Sequence, residues 1–481
     1  MKQLTCFFLL CCSLVFGSYS VEESVVKIYQ TRNAYDYESP WSSPFQEKRG
    51  GSGFIISGNR ILTNAHVVSD AAFIQVKKAH DSEKYLAEVE WLGHDCDLAI
   101  LTVPDEAFFE GTYPLEIATE IAPVQAEVKV LGYPVGGVDL SVTRGIISRT
   151  EVCNYNFSRN SLLCSQIDAP LNPGNSGGPV LENGKVVGVA HQAIFFGQNL
   201  GYMIPIPIIR HFLKEVDEGK YHGFPKGGVR FQTMENPALR GFYQMGKETT
   251  GVLITLVNET SFFHDKLYPG DVLLAIDGVS IANDGTIDFE NRKRVSLSHL
   301  FSIKYYDEFI DLEILRDGER LTLSVHLQSN MAGQDLVGEI QYNKRPTYYT
   351  VGGLVFQPLT VNYLIHAFEQ DSPALNFLYY LKHGKISEDR SQVVVLTRVL
   401  PDSVNVGYQK IVDEVVSSVN GVKIRNIRDL INAFEKSTGP YIHLALETDG
   451  EIVLDRDHVL ERNTKILSNY LIPNDRSEDL R

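Results

Sequence analysis

From residue 22 to about residue 215 the chain is a succession of short apolar runs, most of them closed by glycine turns: "VVKIY", "SGFIISGNRILT", "IQVKKA", "YLAEVEWLG", "LAILTV", "EVKVLGYPVG", "GIISRTEV" and "GKVVGVA". Many short strands at regular spacing bury their apolar faces in a closed β architecture, a barrel or a sandwich. "IPIIRHFLKEVDEG" follows, with apolar residues at helical spacing and a glycine stop, and reads as a helix. Apolar residues at 43% and charged residues at 22% are ordinary for a folded soluble protein. The 481 residues leave room for about three domains at ~150 residues each.

The rest of that length reads as one plan used twice. Residues 223–335 and 345–455 each open with glycines and a short strand, "KGGVRFQ" and "VGGLVFQ". A helix follows in each, "NPALRGFYQM" and "VNYLIHAF", then an apolar strand, "GVLITLVNET" and "VVVLTRVLPDS". Each reaches a hairpin in which Asp-Gly or Asn-Gly joins alternating strands, "GDVLLAIDGVSI" and "VDEVVSSVNGVKI". This is a duplication of long period, giving two related modules and not a solenoid. Residues 456–481 are polar and charged and are expected to form a loose tail.

Residues 1–20 differ from everything after them. Lys2 precedes an apolar run, Leu4 to Phe16, too short to span a bilayer, and Ser18 and Ser20 supply the small residues of a cleavage site. The segment is expected to be a secretory signal, cut after Ser20, and the protein to be exported, periplasmic in the first instance. No later segment reads as a membrane span. The net charge of -16 argues against nucleic acid as a partner. Cys96, Cys153 and Cys164 remain after cleavage. Cys153 and Cys164 flank a hairpin, so a disulfide between them is one pairing the sequence allows, with Cys96 left buried and unpaired.

Chemistry concentrates at "LNPGNSGGPV", residues 171–180. A lone G-x-S-x-G also fits the strand-to-helix elbow of an α/β-hydrolase. "PVLENGKVVGV" follows, however, and reads as a hairpin, which places Ser176 on a loop between strands. A serine nucleophile needs a base and a group that orients the base. His66 lies in "ILTNAHVV", just after a strand, and Asp97 directly precedes the strand "LAIL", with Asp95 as the competing acid. The order His, Asp, Ser is that of the chymotrypsin-like fold. The glycines let the peptide N–H groups of Gly174 and Ser176, around Asn175, converge on a developing oxyanion, each donor worth roughly 3–4 kcal/mol in the transition state.

In combination, "GSGFIISGNRILTNAHVV", "DLAIL", "LGYPVG", "VTRGIISR" and "QIDAPLNPGNSGGPV" resemble the HtrA/Deg family of serine proteases over about residues 45–460. "YPGDVLLAIDGVSIANDGT" is most similar to a divergent branch of that family also found in plants. The resemblance implies a mainly β fold: a trypsin-like double β-barrel over residues 21–222 followed by two α+β PDZ domains. It implies His66 as general base, Asp97 as its orienting group, Ser176 as nucleophile, and Gly174, Asn175 and Ser176 around the oxyanion hole. Ala193, Ile194 and Phe195 would line a shallow apolar specificity pocket. Asn175 cannot make the ion pair by which activated trypsins are switched on. PDZ domains add an extended peptide to a sheet edge and hold its carboxylate in a loop of N–H groups. Gly227, Gly228 and Val229 stand there in the first module, and Gly352, Gly353 and Leu354 in the second. The family implies a trimer or a multiple of trimers, for which Tyr35, Tyr37 and Trp41 offer an aromatic contact.

The expected activity is ATP-independent cleavage of unfolded or damaged proteins, with no cofactor and no metal. The alternative is a chaperone or PDZ scaffold whose proteolysis is latent; an esterase is a third reading. His94 and His191 are expected to be structural or exposed. "GFYQMGK" has a phosphate-loop spacing but ends in Glu248, and "NFS" at Asn156 and "NET" at Asn258 match the glycosylation pattern without further support.

Overall fold

The computed structural model describes residues 20–481 except residues 138, 156–157, 159, 192–200, 291–292, 329–334, 371–374 and 449. The signal segment, the three pocket residues Ala193, Ile194 and Phe195, and Asn156 therefore lie outside the described residues.

The glycine-closed runs of the first 220 residues form two β units. One is a seven-stranded sheet in the order Tyr85–Leu86, Ala71–Lys78, Val25–Ala34, Phe45–Ile56, Arg60–Thr63, Leu98–Thr102, Glu88–Gly93. The other is a closed barrel of six strands: Ser161–Ile167, Gly201–Pro205, Lys185–His191, Pro179–Glu182, Glu127–Gly132 and Ser141–Asn154. The expected trypsin-like pair of β units is present, one of them a closed barrel and the other, among the described residues, a seven-stranded path. Helix Ile206–Asp217 follows, with Pro207 in its first turn and one face buried through Ile208, Ile209, Phe212 and Val216. Cys153 and Cys164 are joined as a disulfide across the hairpin, their Cα atoms 6.0 Å apart, and Cys96 is buried and free.

The first module is a sheet in the order Val229–Thr233, Val252–Val257, Val272–Ile276, Phe309–Arg316, Glu319–His326. Asp277 and Gly278 both take positive φ, 47° and 75°, as a two-residue hairpin turn requires. This module is not a bead on a string. Many of its buried residues, including Ile254, Phe263 and Phe301, belong to one continuous core with Phe54, Leu163 and, from the helix, Phe212, while Met234, Leu253, Val272, Leu274 and Leu315 form a smaller cluster within the module. His211 is sandwiched between Phe224 and Tyr305, with ring centroids 4.0 and 4.1 Å away.

The second module has the strand order Tyr349–Val351, Leu354–Pro358, Val394–Val399, Glu414–Val419, Tyr441–Leu446, Glu451–Asp455 and a core of its own. The residues expected to be a loose tail are built into it. Arg456–Asn469 is a helix, capped by the Asp455 side chain and carrying Val459 and Ile466 inward; Ile472 and Leu480 are buried beyond it. Arg462 holds Asp402 with two hydrogen bonds, of 3.0 and 2.6 Å. Those Arg462 donors hold the Asp402 carboxyl near 2, below its ordinary value. Two apolar residues seven apart, Val459 and Ile466, supply the buried stripe that an otherwise charged sequence hides.

Tyr37 and Trp41, expected at a contact between chains, pack instead on the second module of the same chain. The Tyr37 carbonyl accepts from Gln357 Nε2 at 2.7 Å, and the Trp41 ring lies 6.0 Å from that of Tyr348. Between the modules, Tyr342 stacks on His94 at 3.7 Å, nearly parallel.

Candidate active site

Strand Arg60–Thr63 ends at Asn64, whose extended backbone starts the one-turn helix Ala65–Val68 and so presents His66. The helix sits close because Gly51 has no side chain: a Cβ there would meet Val67 Cγ1 at 2.4 Å. Asn64 Nδ2 donates to the carbonyl of Asp97 at 2.9 Å, tying the two segments together. Asp97 itself holds a left-handed backbone, φ 55°, just before strand Leu98–Thr102.

The Asp97 carboxylate is 1% exposed and spends both oxygens. Oδ1 accepts the backbone N–H of His66 at 2.8 Å, and Oδ2 contacts His66 Nδ1 at 2.7 Å. Oδ2 also takes a second imidazole, His191 Nδ1, at 2.8 Å. Burial alone would raise this carboxyl, but the His66 charge and the hydrogen bonds from both rings outweigh it and hold it well below the usual carboxylate range. An ionised carboxylate only accepts, so both Nδ1 atoms carry their protons. Nε2 is then the His66 ring nitrogen that can take a proton.

Of the two acids weighed in the sequence, Asp97 meets His66 and Asp95 does not. Asp95 accepts from the Tyr221 hydroxyl and from the N–H of Phe224, where the chain leaves the β units for the first module. Burial raises its carboxyl, with those two donors acting against the rise.

The serine loop is fixed from both sides. Ser52, fully buried in the first sheet, donates from its N–H to the Ser176 carbonyl at 2.9 Å and from its hydroxyl to the Gly174 carbonyl at 2.7 Å. Gly177 N–H donates to the carbonyl of Ala190, the neighbour of His191, at 2.9 Å. Gly177 has φ 84° and no room for a side chain: a Cβ would lie 2.2 Å from the Ser52 carbonyl oxygen, 2.3 Å from Thr63 Oγ1 and 3.1 Å from Asn64 N. The peptide after Ser176 is thereby pressed against the segment that presents His66. Gly174 takes φ 100° and lies against the backbone of residues 133–135. Among the described residues, the N–H groups of Gly174 and Ser176 have no hydrogen-bond partner, whereas Asn175 N–H is used by Asn172. An imidazole base backed by a carboxylate, a serine on a locked glycine loop and two unspent N–H groups are the parts acyl transfer needs.

Sequence reasoning missed two residues here. His191, expected to be structural or exposed, is buried at 4% exposure, as a structural residue would be, and its bond to Asp97 is what the sequence does not show. Ser52 stands in the strand run "SGFIISGNRILT" with no local mark of its role. Its place opposite a glycine-rich loop is a property of the assembled fold, which no local pattern reports.

The glycines of the two modules do different things. Gly227 and Gly228 lie in an irregular stretch before strand Val229–Thr233, their carbonyls accepting from the Ser261 hydroxyl at 2.6 Å and from Asn258 N–H at 2.9 Å. That strand pairs only with Val252–Val257 among the described residues, so its outer edge is open. In the second module, Gly352 and Gly353, expected to form a carboxylate loop before Leu354, are a tight turn instead, with φ 59° and 83°. They join Tyr349–Val351 to Leu354–Pro358, and the first of these strands covers the edge of the second. Gly352 N–H is taken by Asn463 of the C-terminal helix at 3.0 Å. Thr350 N–H donates to the Asp475 carbonyl at 2.6 Å, so the chain end covers the next edge in turn.

Comparison with known proteins agrees with this architecture. The trypsin-like peptidase domain family matches residues 51–189, and the PDZ domain family matches residues 337–479, the C-terminal helix included. Protease Do-like 4, mitochondrial, of Arabidopsis thaliana is 39% identical over 452 residues, 94% of this chain and 84% of its own length. Protease Do-like 2, chloroplastic, of the same plant is 37% identical, covering 95% and 75%. The solved structure of HtrA-type protease AlgW with decapeptide superposes with a TM-score of 0.50 at 24% identity, over 65% of this chain and 97% of that one; this likeness speaks for the fold.

Proposed function

The chain belongs to the Do-like, or HtrA/DegP, family of serine proteases, and on that premise we propose that it is an endopeptidase working outside the cytosol on unfolded or damaged proteins. A trypsin-like peptidase domain and protease relatives along nearly the whole chain make it a serine-type peptidase. In this reading Ser176 is the nucleophile, His66 the general base, Asp97 its orienting group, and the N–H groups of Gly174 and Ser176 receive the oxyanion. The observation that carries it is the Asp97–His66 contact beside a serine loop locked by Ser52 and Gly177. No ATP is needed, because a strand-binding cleft takes only backbone that is not already paired; the substrate arrives unfolded.

The open edge of Val229–Thr233 is where an extended peptide would add as a further strand, with its terminus near Gly227 and Gly228. Assembly as a trimer or a multiple of trimers belongs to the same reading, with a contact other than Tyr37 and Trp41. The leader directs the protein out of the cytosol, to the periplasm or an equivalent compartment; relatives are named for mitochondria and chloroplasts.

One experiment tests this. Protein is purified from its own cells, its N-terminus is sequenced, and casein digestion is compared with that of Ser176→Ala. Expected are a chain beginning at Val21, digestion without ATP, and loss of essentially all activity in the variant. An uncut leader would remove the export reading. Intact casein with both proteins, together with suppressed aggregation of an unfolded client, would favour the chaperone alternative.

A further inference from the structure

His191 is the residue whose contact the reaction as described leaves unused. It ends strand Lys185–His191, is buried, and its ring stacks on Tyr155 at 5.5 Å. Its Nδ1 lies 2.8 Å from Asp97 Oδ2, the oxygen that also holds His66 Nδ1 at 2.7 Å; the two imidazoles are 6.0 Å apart. The ligand-type atoms of the three side chains fall within 4.8 Å of one another, and these two hydrogen bonds account for that approach without a cation.

The surroundings decide what two rings on one oxygen mean. Besides His66 and His191, the Asp97 charge acts on His94, Cys96, Tyr155 and Tyr342. Burial lowers His94 and raises Cys96, Tyr155 and Tyr342, so each of these is neutral near pH 7. No lysine or arginine is among them. Among the described residues, this buried carboxylate is held by two imidazoles and the His66 backbone N–H, with no lysine or arginine in contact. During acyl transfer His66 becomes an imidazolium and Asp97 balances it. A second imidazolium would put two positive charges against one negative in a site with little water. His191 accordingly acts as an N–H donor, drawing part of the carboxylate's electron density away from His66.

We propose that His191 is a positioning residue of the protease reaction: its Nδ1–H shares Asp97 Oδ2 with His66, fixes the carboxylate plane and limits how strongly Asp97 favours the protonated form of His66. This rests on the functional reading above. No bond is made or broken at His191; it holds its proton throughout the cycle.

The decisive variant is His191→Phe, which keeps a ring against Tyr155 and removes the donor. His191→Asn offers a donor again. With the full mature chain and a peptide substrate, kcat and KM are measured separately across pH. For His191→Phe we expect kcat to fall roughly tenfold or more, short of the ~10⁴-fold loss that follows when the triad aspartate itself is altered in such enzymes. KM stays put, and the acid limb of the kcat/KM profile moves up by roughly half a unit to one unit, the worth of one hydrogen bond. His191→Asn recovers kcat and returns the limb toward its original position. An unmoved limb overturns the proposal, whether kcat is unchanged or falls only with melting temperature. If His191→Phe does not fold, the wild type decides: nitrogen NMR of labelled histidine finds His191 as the Nδ1–H tautomer, and the Nε2–H tautomer overturns the idea. A wild type that hydrolyses nothing would sink the functional reading itself.

Discussion

The two C-terminal modules share a plan and differ in what lies along one strand edge. In the first, strand Val229–Thr233 ends the sheet, with Arg230, Gln232 and Thr233 exposed. In the second, the corresponding strand Leu354–Pro358 has a neighbour on each side, and Leu354, Val355, Phe356 and Gln357 are buried. Tyr349 of the covering strand packs on Phe434 of helix Ile427–Glu435, its ring centroid 6.0 Å away, and Arg476 from the chain end lies over Tyr349 at 5.2 Å. The lesson is that a duplicated fold does not duplicate a binding surface. One edge stays unpaired among the described residues, and the other is used up by the chain's own 349–351 segment and C-terminus.

The comparison also runs through the cores. The first module shares most of its interior with the peptidase unit, whereas the second has a separate one closed by the C-terminal segment. The strongest way to break this picture is to end the chain at Asn469. Loss of the buried Ile472 and Leu480 side chains, at about 1.5–3 kcal/mol each, should cost the second module about 3–6 kcal/mol. Denaturant unfolding should show that transition move while the one shared by the peptidase unit and the first module stays. Unchanged unfolding would mean that residues 470–481 are not part of the module.

Acid should act on the other interface. Burial lowers both His211 and His299, to about 4, against an ordinary 6.5. Both are neutral in the folded chain at pH values where the unfolded chain already takes up protons. Their contribution is therefore whole above pH 6.5 and is lost as pH falls toward 4, up to about 3 kcal/mol for each. Fluorescence-monitored melts between pH 7 and 4 should show the shared transition falling with that slope. His211→Gln and His299→Gln, if stable, should flatten it.

The smallest effect is read in amide exchange. Backbone N–H groups on the outer edge of Val229–Thr233 should exchange at least about tenfold faster than those of Leu354–Pro358, and an extended peptide should slow only the former. Equal protection of the two strands would remove the distinction between edges.

How far the sequence carries the reader follows from the range of each interaction. The strand-rich region, the helix after it and the two hairpin steps are local patterns and are all present. His66, Asp97 and the glycine-serine loop were legible because the chemistry admits few residue types. Asp97 and Asp95 stand two apart, and only the folded turn shows which of them reaches His66. The sequence singles out His191 only as structural or exposed, because a histidine at a strand end has no distinguishing neighbours; its meaning comes from a carboxylate 94 positions earlier. The C-terminal helix was hidden by composition, its two inward residues diluted among charges. The closed edge of the second module was illegible for a different reason. Pairing along a strand depends on which segment arrives there, and "VGGLVFQ" looks alike with or without a companion.

Asp95 gives the join between the peptidase unit and the first module its mechanical character. Gly223 sits against it so closely that a Cβ would lie 2.4 Å from Asp95 Oδ2, and Tyr221 and Phe224 on either side are fastened to the same carboxylate. The tether has no slack at that point. The same turn carries Asp97 two residues later, so the fastening of the join and the placing of the acid that meets His66 fall within three residues of chain.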